Sequence, residues 1–300
     1  MRGFPSRHYI TFRSLHSEPL TVAARLMVPE GPKPGPKSGP EEKSPAVLIL
    51  HGSAGPSTRE GGYAEALHAA GFVTLEPDQW SCRGLAGGSE GRPKTVAETL
   101  PDVFGARAYL AAHPAVDPKR IAVMGFSFGG VASMLAVTRA YSDRFSPDAH
   151  FAAFMPVYPA CWTYNKVPGH EFADLVDAPL LLVTGALDEY DDDAQAGSNL
   201  VASLSSSDRA RIRTHVFADS HHCFDMPGVD VVVEDPMSHR GAGGKVVMRH
   251  NAKATVQSHR LCVEFFRGAL DASVLRGSLR SHLTMTRLLE HRTRYSNNFF

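Results

Sequence analysis

Ser127 stands in the run Gly125-Phe126-Ser127-Phe128-Gly129, between the short apolar stretch Ile121 to Met124 and a helix-like segment. In a strand–turn–helix setting a G-x-S-x-G pattern describes a strained turn that exposes the serine Oγ above a sheet. Glycines two residues to either side remove Cβ atoms that would collide where the helix closes on the strand. A serine hydroxyl is a weak nucleophile until a base takes its proton, and that base must be oriented by a third group. Both partners are available downstream, each just past an apolar run. PLLLVTG ends at Gly185 and Asp188 follows, and RIRTHVF ends at Phe217 ahead of His221 and His222. Each residue has a plainer alternative: Ser127 as a helix N-cap, Asp188 as one of several acids (with Asp191, Asp192 and Asp193) able to cap a following helix, and either histidine as loop surface.

The elements that must carry these residues can be read along the chain. Tyr9 to Ser14 and Leu20 to Val28 read as an antiparallel pair. Residues 29–44, rich in proline and glycine, read as a surface loop rather than a domain boundary. Strand and helix then alternate: strands at Ala46 to Leu50, Phe72 to Leu75, Ile121 to Met124, Phe151 to Val157, Leu180 to Thr184 and Ile212 to Phe217. Helices are expected at Arg59 to Ala70, from Pro101 to near His113, from the elbow to about Tyr141, at about Asp191 to Leu204 and at about Ala252 to Leu270. That pattern predicts a mostly parallel sheet covered by helices on both faces, with ligands beyond the carboxyl ends of the strands. Residues 1–270 are expected to form one α/β domain, followed by a basic tail at 271–300 whose leucines permit a helix.

Composition narrows the function classes. Lysine plus arginine and aspartate plus glutamate number 31 each, so no global field points to nucleic acid or an anionic membrane. The amino terminus lacks the apolar core of a signal peptide and no run is long enough to span a bilayer, so a cytoplasmic location is the default expectation. Cys82, Cys161, Cys223 and Cys262 show no metal-finger spacing, and no metal or organic cofactor is expected. Reduced thiols are the plain reading. Cys82, Cys161 and Cys223 nonetheless follow strands at one sheet edge, where two of them could meet.

On HGSAG at 51–55, PDQWSCRG at 77–84, DPKRIAVMGFSFGG at 117–130, PVYPAC at 156–161, GALD at 185–188 and FADSHHCF at 217–224, the chain resembles the dienelactone hydrolase family of the α/β-hydrolase fold. The resemblance covers about residues 18–270. It implies Asp188, third after Gly185, as the acid and His222, two before Phe224, as the histidine. It also implies Ser53 or Ala54, with Ser53 preferred, as one oxyanion donor. Phe128, following the nucleophile at a helix amino terminus, is the other. The best-known members of the family use cysteine where this chain has Ser127, which moves the reading from dienelactones towards general esters.

Trp80 and Arg83, after the strand at 72–75, read either as pocket wall and acid-binding cation or as an arginine stacked on a surface tryptophan. Tyr158 and Trp162 are expected to line the other side of the cleft. The short connection from Val157 to Leu180 leaves no room for a large cap domain, whereas Asp225 to His250 could form a hairpin that narrows the cleft beside the histidine. The expectation is a serine hydrolase acting on a small-molecule carboxylic ester or lactone through an acyl-enzyme, with no nucleic-acid or membrane partner and an open oligomeric state. Prolyl-oligopeptidase-like amide cleavage and a non-catalytic binding scaffold are the alternatives.

Overall fold

In the computed structural model, residues 6–29 and 43–271 are described. Most of the expected loop at 29–44, and the tail beyond residue 271, lie outside them. The antiparallel pair is β1 (Ser6–Arg13) and β2 (Thr21–Val28), and β2 runs antiparallel to β4 (Val73–Asp78). From there the sheet is parallel: β3 (Ser44–Leu50), β5 (Val116–Phe126), β6 (Phe154–Val157), β7 (Leu180–Gly185) and β8 (Ile212–Phe217). The strand order is β1-β2-β4-β3-β5-β6-β7-β8. The architecture is an α/β-hydrolase fold, and no large cap domain is seen among the described residues.

Side chains of β3 show why both faces must be covered. Val47 and Ile49 point to one face and Leu48 and Leu50 to the other, and all four are fully buried. A strand buried on both sides reads as a continuous apolar run rather than an alternating one. One face is packed by α1 (Thr58–Ala69) through Tyr63 and Leu67, and by the closing helix Ala252–Ala269 through Phe265 and Phe266. The other face is packed by α2 (Leu100–Ala112) and α3 (Phe128–Ala136) through Phe104, Leu110, Val131 and Leu135. Ser57 starts α1 with a reciprocal capping box: Glu60 accepts from the Ser57 backbone at 2.7 Å.

Two helices are shorter than the sequence pattern predicts. The one after the elbow breaks at Thr138, whose extended backbone bridges Leu175, and resumes as α4 (Arg139–Phe145). The one expected from Asp191 begins only at α5 (Ala196–Ser203), because Asp188 to Asp193 form turns; α6 (Ser206–Arg209) is a single turn before β8. The segment after the histidine is a hairpin. Its strands β9 (Asp230–Asp235) and β10 (Gly244–Arg249) pair antiparallel, and Met248 bridges His222. All four cysteines are free thiols, so the pairing entertained among Cys82, Cys161 and Cys223 does not occur. No described helix is long and apolar enough to cross a membrane.

Candidate active site

At the end of β5 the chain turns through Ser127 with φ 51° and ψ −115°, a region non-glycine residues rarely occupy, and enters α3 at once. The elbow is anchored by the Ser127 N–H donating to the Val157 carbonyl (3.0 Å), while the Ser127 carbonyl accepts from Val131 N–H (2.8 Å). A Cβ on Gly125 would lie 2.2 Å from the Gly129 carbonyl oxygen, so the crossing excludes any side chain there. Ser127 does not cap the helix through its side chain.

Its hydroxyl lies 2.9 Å from His222 Nε2, and His222 Nδ1 lies 2.8 Å from Asp188 Oδ2. A carboxylate only accepts, so Nδ1 carries the proton and Nε2 presents a lone pair to the serine. Asp188 and His222 are buried, at 5% and 1% exposure, which keeps the relay out of bulk water. The second oxygen of Asp188 accepts from Tyr190 N–H at 3.0 Å. The imidazole packs against two rings, Tyr190 at 4.4 Å and Tyr158 at 4.7 Å between centroids.

The competing acids and histidine go elsewhere. Asp191 accepts from the backbone N–H groups of Cys161 (3.0 Å) and Trp162 (2.7 Å), and burial lifts its pKa to about 6. Asp192 pairs with His239, and Asp193 accepts from Gln195 N–H ahead of α5. It is His222, not His221, that meets Asp188 and Ser127, and the Nδ1 of His221 is buried without a hydrogen-bond partner.

Phe128 is the first residue of α3, where backbone N–H groups are left without helical acceptors. The other candidate donors sit on the glycine turn after β3, and their directions follow from the carbonyls beside them. A trans peptide sets each carbonyl opposite the next N–H. The Gly52 carbonyl accepts from His51 Nδ1 (2.8 Å) and Gly55 N–H (3.1 Å), which fixes the Ser53 N–H. The Ser53 carbonyl accepts from Trp80 Nε1 (2.9 Å) and Gly88 N–H (2.8 Å), which fixes the Ala54 N–H.

Three of the four expected cleft residues need correction. Trp80 is 2% exposed, wedged against His51 and Phe128, and serves as a strut for the turn rather than a pocket wall. Arg83 is not a free cation for an acid: it donates to Asp102 (2.8 Å) and to the Gln79 carbonyl (2.9 Å), and it does not stack on a surface tryptophan. Tyr158 is 1% exposed, with its hydroxyl turned into the interior. Trp162 lines a cavity of about 400 Å³ together with Tyr164, Lys166, Asp193 and Arg240. Neither Ser127 nor His222 borders that cavity. The hairpin is tied down over the acid loop by Val247 N–H donating to Glu189 (2.5 Å) and by Arg240 donating to the Asp191 carbonyl (2.8 Å).

Residues that sequence reasoning passed over include Tyr190, Arg59, Asp225 and the role of His51. His51 Nδ1–H donates to Gly52 while Nε2 accepts from Gln79 N–H at 3.1 Å, so the ring is satisfied only when neutral. Burial lowers its pKa below the ordinary histidine value. Because the folded value lies below the unfolded one, the unfolded chain binds more protons, and stability falls as pH drops below about 6.5. Between pH 7.5 and 5.5 the wild type is expected to lose more stability than His51→Gln, a difference in which the shared histidines cancel; urea midpoints at both pH values measure it.

A sequence profile of the dienelactone hydrolase family matches residues 34–270. The chain belongs to that family. This dienelactone hydrolase family member is also 35% identical over 155 residues to uncharacterised proteins of Mycobacterium tuberculosis, a match covering 48% of this chain. It spans about half the length of those relatives, 53%. Among solved structures it resembles a dienelactone hydrolase from Anabaena variabilis (TM-score 0.59, 20% identity, 89% of this chain and 99% of that one). It also resembles Thermogutta terrifontis esterase 2 phosphorylated by paraoxon (TM-score 0.58, 16% identity, 88% of this chain and 95% of that one). A lidless serine hydrolase from Xanthomonas campestris aligns at TM-score 0.52 and 14% identity, over 90% of this chain and 98% of that one. At these identities the structures speak for the fold.

Proposed function

We propose that this protein is a hydrolase that cleaves a carboxylic ester or lactone by a serine mechanism. The observation that carries the reading is the unbroken relay from Asp188 Oδ2 through His222 to Ser127 Oγ, with both hydrogen bonds under 3 Å and the serine on a left-handed elbow. Ser127 Oγ attacks the carbonyl carbon as His222 Nε2 takes its proton. Asp188 holds the tautomer and stabilises the imidazolium. The N–H groups of Phe128 and Ser53 are assigned to the developing oxyanion. Collapse of the tetrahedral intermediate breaks the C–O bond, and His222 gives the proton to the departing alkoxide. In a lactone that alcohol stays attached to the acyl group. Water, deprotonated by the same histidine, then attacks the acyl-enzyme; the acid leaves and Ser127 regains its proton.

Serine is favoured over cysteine as nucleophile by position and by protonation. Cys223, next to His222 in the chain, is buried and its pKa is pushed up to about 12, which keeps it a thiol. A phosphorus electrophile is the apt probe, since the related Thermogutta esterase is described as phosphorylated by paraoxon. Wild-type protein is expected to be labelled by a fluorophosphonate at Ser127, and labelling is expected to vanish in Ser127→Ala. A folded wild type that takes no label would overturn the serine mechanism.

A further inference from the structure

We propose that Tyr158, itself held by Asp225 and Arg59, is a positioning residue that keeps the His222 imidazole in line between Asp188 and Ser127; this rests on the relay being the catalytic unit. Hydrogen bonds at Nδ1 and Nε2 restrain the ring at two points. Two points leave it free to rock about the axis that joins them, and rocking misaligns the Nε2 lone pair. The ring packs against Tyr190 and against Tyr158, whose ring is inclined 59° to it, and these contacts oppose rocking. Tyr190 donates its backbone N–H to Asp188, and its hydroxyl is hydrogen-bonded to Asp235. Tyr158 is fixed from beneath.

Its backbone takes φ 39°, outside the range most residues adopt, and its N–H donates to Val183 at 2.7 Å. Its hydroxyl donates to Asp225 Oδ1 (2.5 Å) and accepts from Arg59 (3.1 Å). Asp225 Oδ2 accepts from Tyr63 (2.6 Å), and Arg59 is paired with Glu60 (2.7 Å) over the Phe126 ring. The same two anchors also grip the histidine's own loop. Asp225 lies three residues beyond His222, and Arg59 contacts the sulfur of Cys223, its immediate neighbour, at 3.7 Å. Ring and loop are thus referred to one buried frame. Buried ionic clusters are often replaceable by apolar packing without loss of stability, and the role proposed for this one is to hold one geometry. At 1% exposure Tyr158 cannot touch substrate, and its effect must pass through His222.

The test uses the full chain with p-nitrophenyl acetate as substrate, together with the low-field proton resonance of His222 Nδ1–H. In Tyr158→Phe, which keeps the ring and removes both hydroxyl contacts, kcat is expected to fall by about tenfold to a hundredfold with KM changed by less than roughly twofold. The low-field resonance is expected to be sharp in the wild type and to broaden in the variant. Asp225→Asn is expected to act in the same direction and carries the test if Tyr158→Phe does not fold. An intact resonance, or a kcat within roughly twofold of wild type, in either folded variant overturns the proposal. The resonance needs no turnover. A wild type unreactive to fluorophosphonate would therefore remove the serine mechanism while the resonance still decides whether Tyr158 positions the ring.

Discussion

Ser127→Ala is expected to lower kcat for p-nitrophenyl acetate by about a millionfold, His222→Ala by nearly as much, and the double variant by little more than either alone. The reason is the geometry of the relay. With Ser127 Oγ removed, His222 Nε2 has no hydroxyl to deprotonate at 2.9 Å; with the imidazole removed, the hydroxyl stays protonated and nearly inert. Each loss already disables the step that the other serves. Asp188→Asn should cost less, about 10⁴-fold, because an amide that donates to Nδ1 turns the imidazole to the wrong tautomer while leaving nucleophile and base in place. Steady-state kinetics on the three single variants and the double variant measure all four values. Losses that multiplied in the double variant would mean that Ser127 and His222 serve independent steps, and the relay would not be the reacting unit.

The relay was legible because its members announce themselves locally. Ser127 is framed by the glycines of a tight turn, and Asp188 and His222 each follow a short apolar strand. The alternation of strand and helix required those strand ends to lie at one edge of the sheet. The hairpin after the histidine was legible for the same kind of reason, two apolar runs about a glycine-rich turn. What could not be read were the fates of Trp80, Arg83 and Tyr158. An aromatic or a cation in a loop looks the same in sequence whether it faces a ligand or an interior partner. Here the partner decides: the Ser53 carbonyl for Trp80, Asp102 for Arg83 and Asp225 for Tyr158, each 19 or more residues away. The break at Thr138 was hidden likewise, since its bridge partner Leu175 belongs to a distant loop. Ser127, where the sequence resemblance implies cysteine in the best-known members, was plain in the sequence, and burial that pushes the Cys223 pKa up to about 12 speaks against that thiol as its rival.

The closeness of elbow and glycine turn also sets where the fold tolerates least. Gly129→Ala is expected to cost more than about 3 kcal/mol in urea-induced unfolding, in the range reserved for changes with a definite steric cause. The new Cβ would lie 2.5 Å from the His51 carbonyl oxygen and 2.6 Å from that of Leu50. Both are backbone atoms of the β3 terminus, so no side chain can swing aside, and α3 must be pushed off the sheet. Alanine's better helix propensity, worth about 1 kcal/mol, works in the opposite direction and is too small to compensate. Gly71→Ala is the matched control. Its φ of 92° makes any side chain strained, yet nothing lies within 4 Å of the added Cβ, so the cost should stay near 1–2 kcal/mol. The displaced atom in Gly129→Ala belongs to His51, which leads into the turn assigned to the oxyanion. Fluorophosphonate labelling should therefore fail at urea concentrations where the far-ultraviolet circular dichroism is still native. If Gly129→Ala unfolds at the wild-type midpoint, the contact between α3 and β3 is looser than these distances require, and the case for a rigid elbow weakens with it.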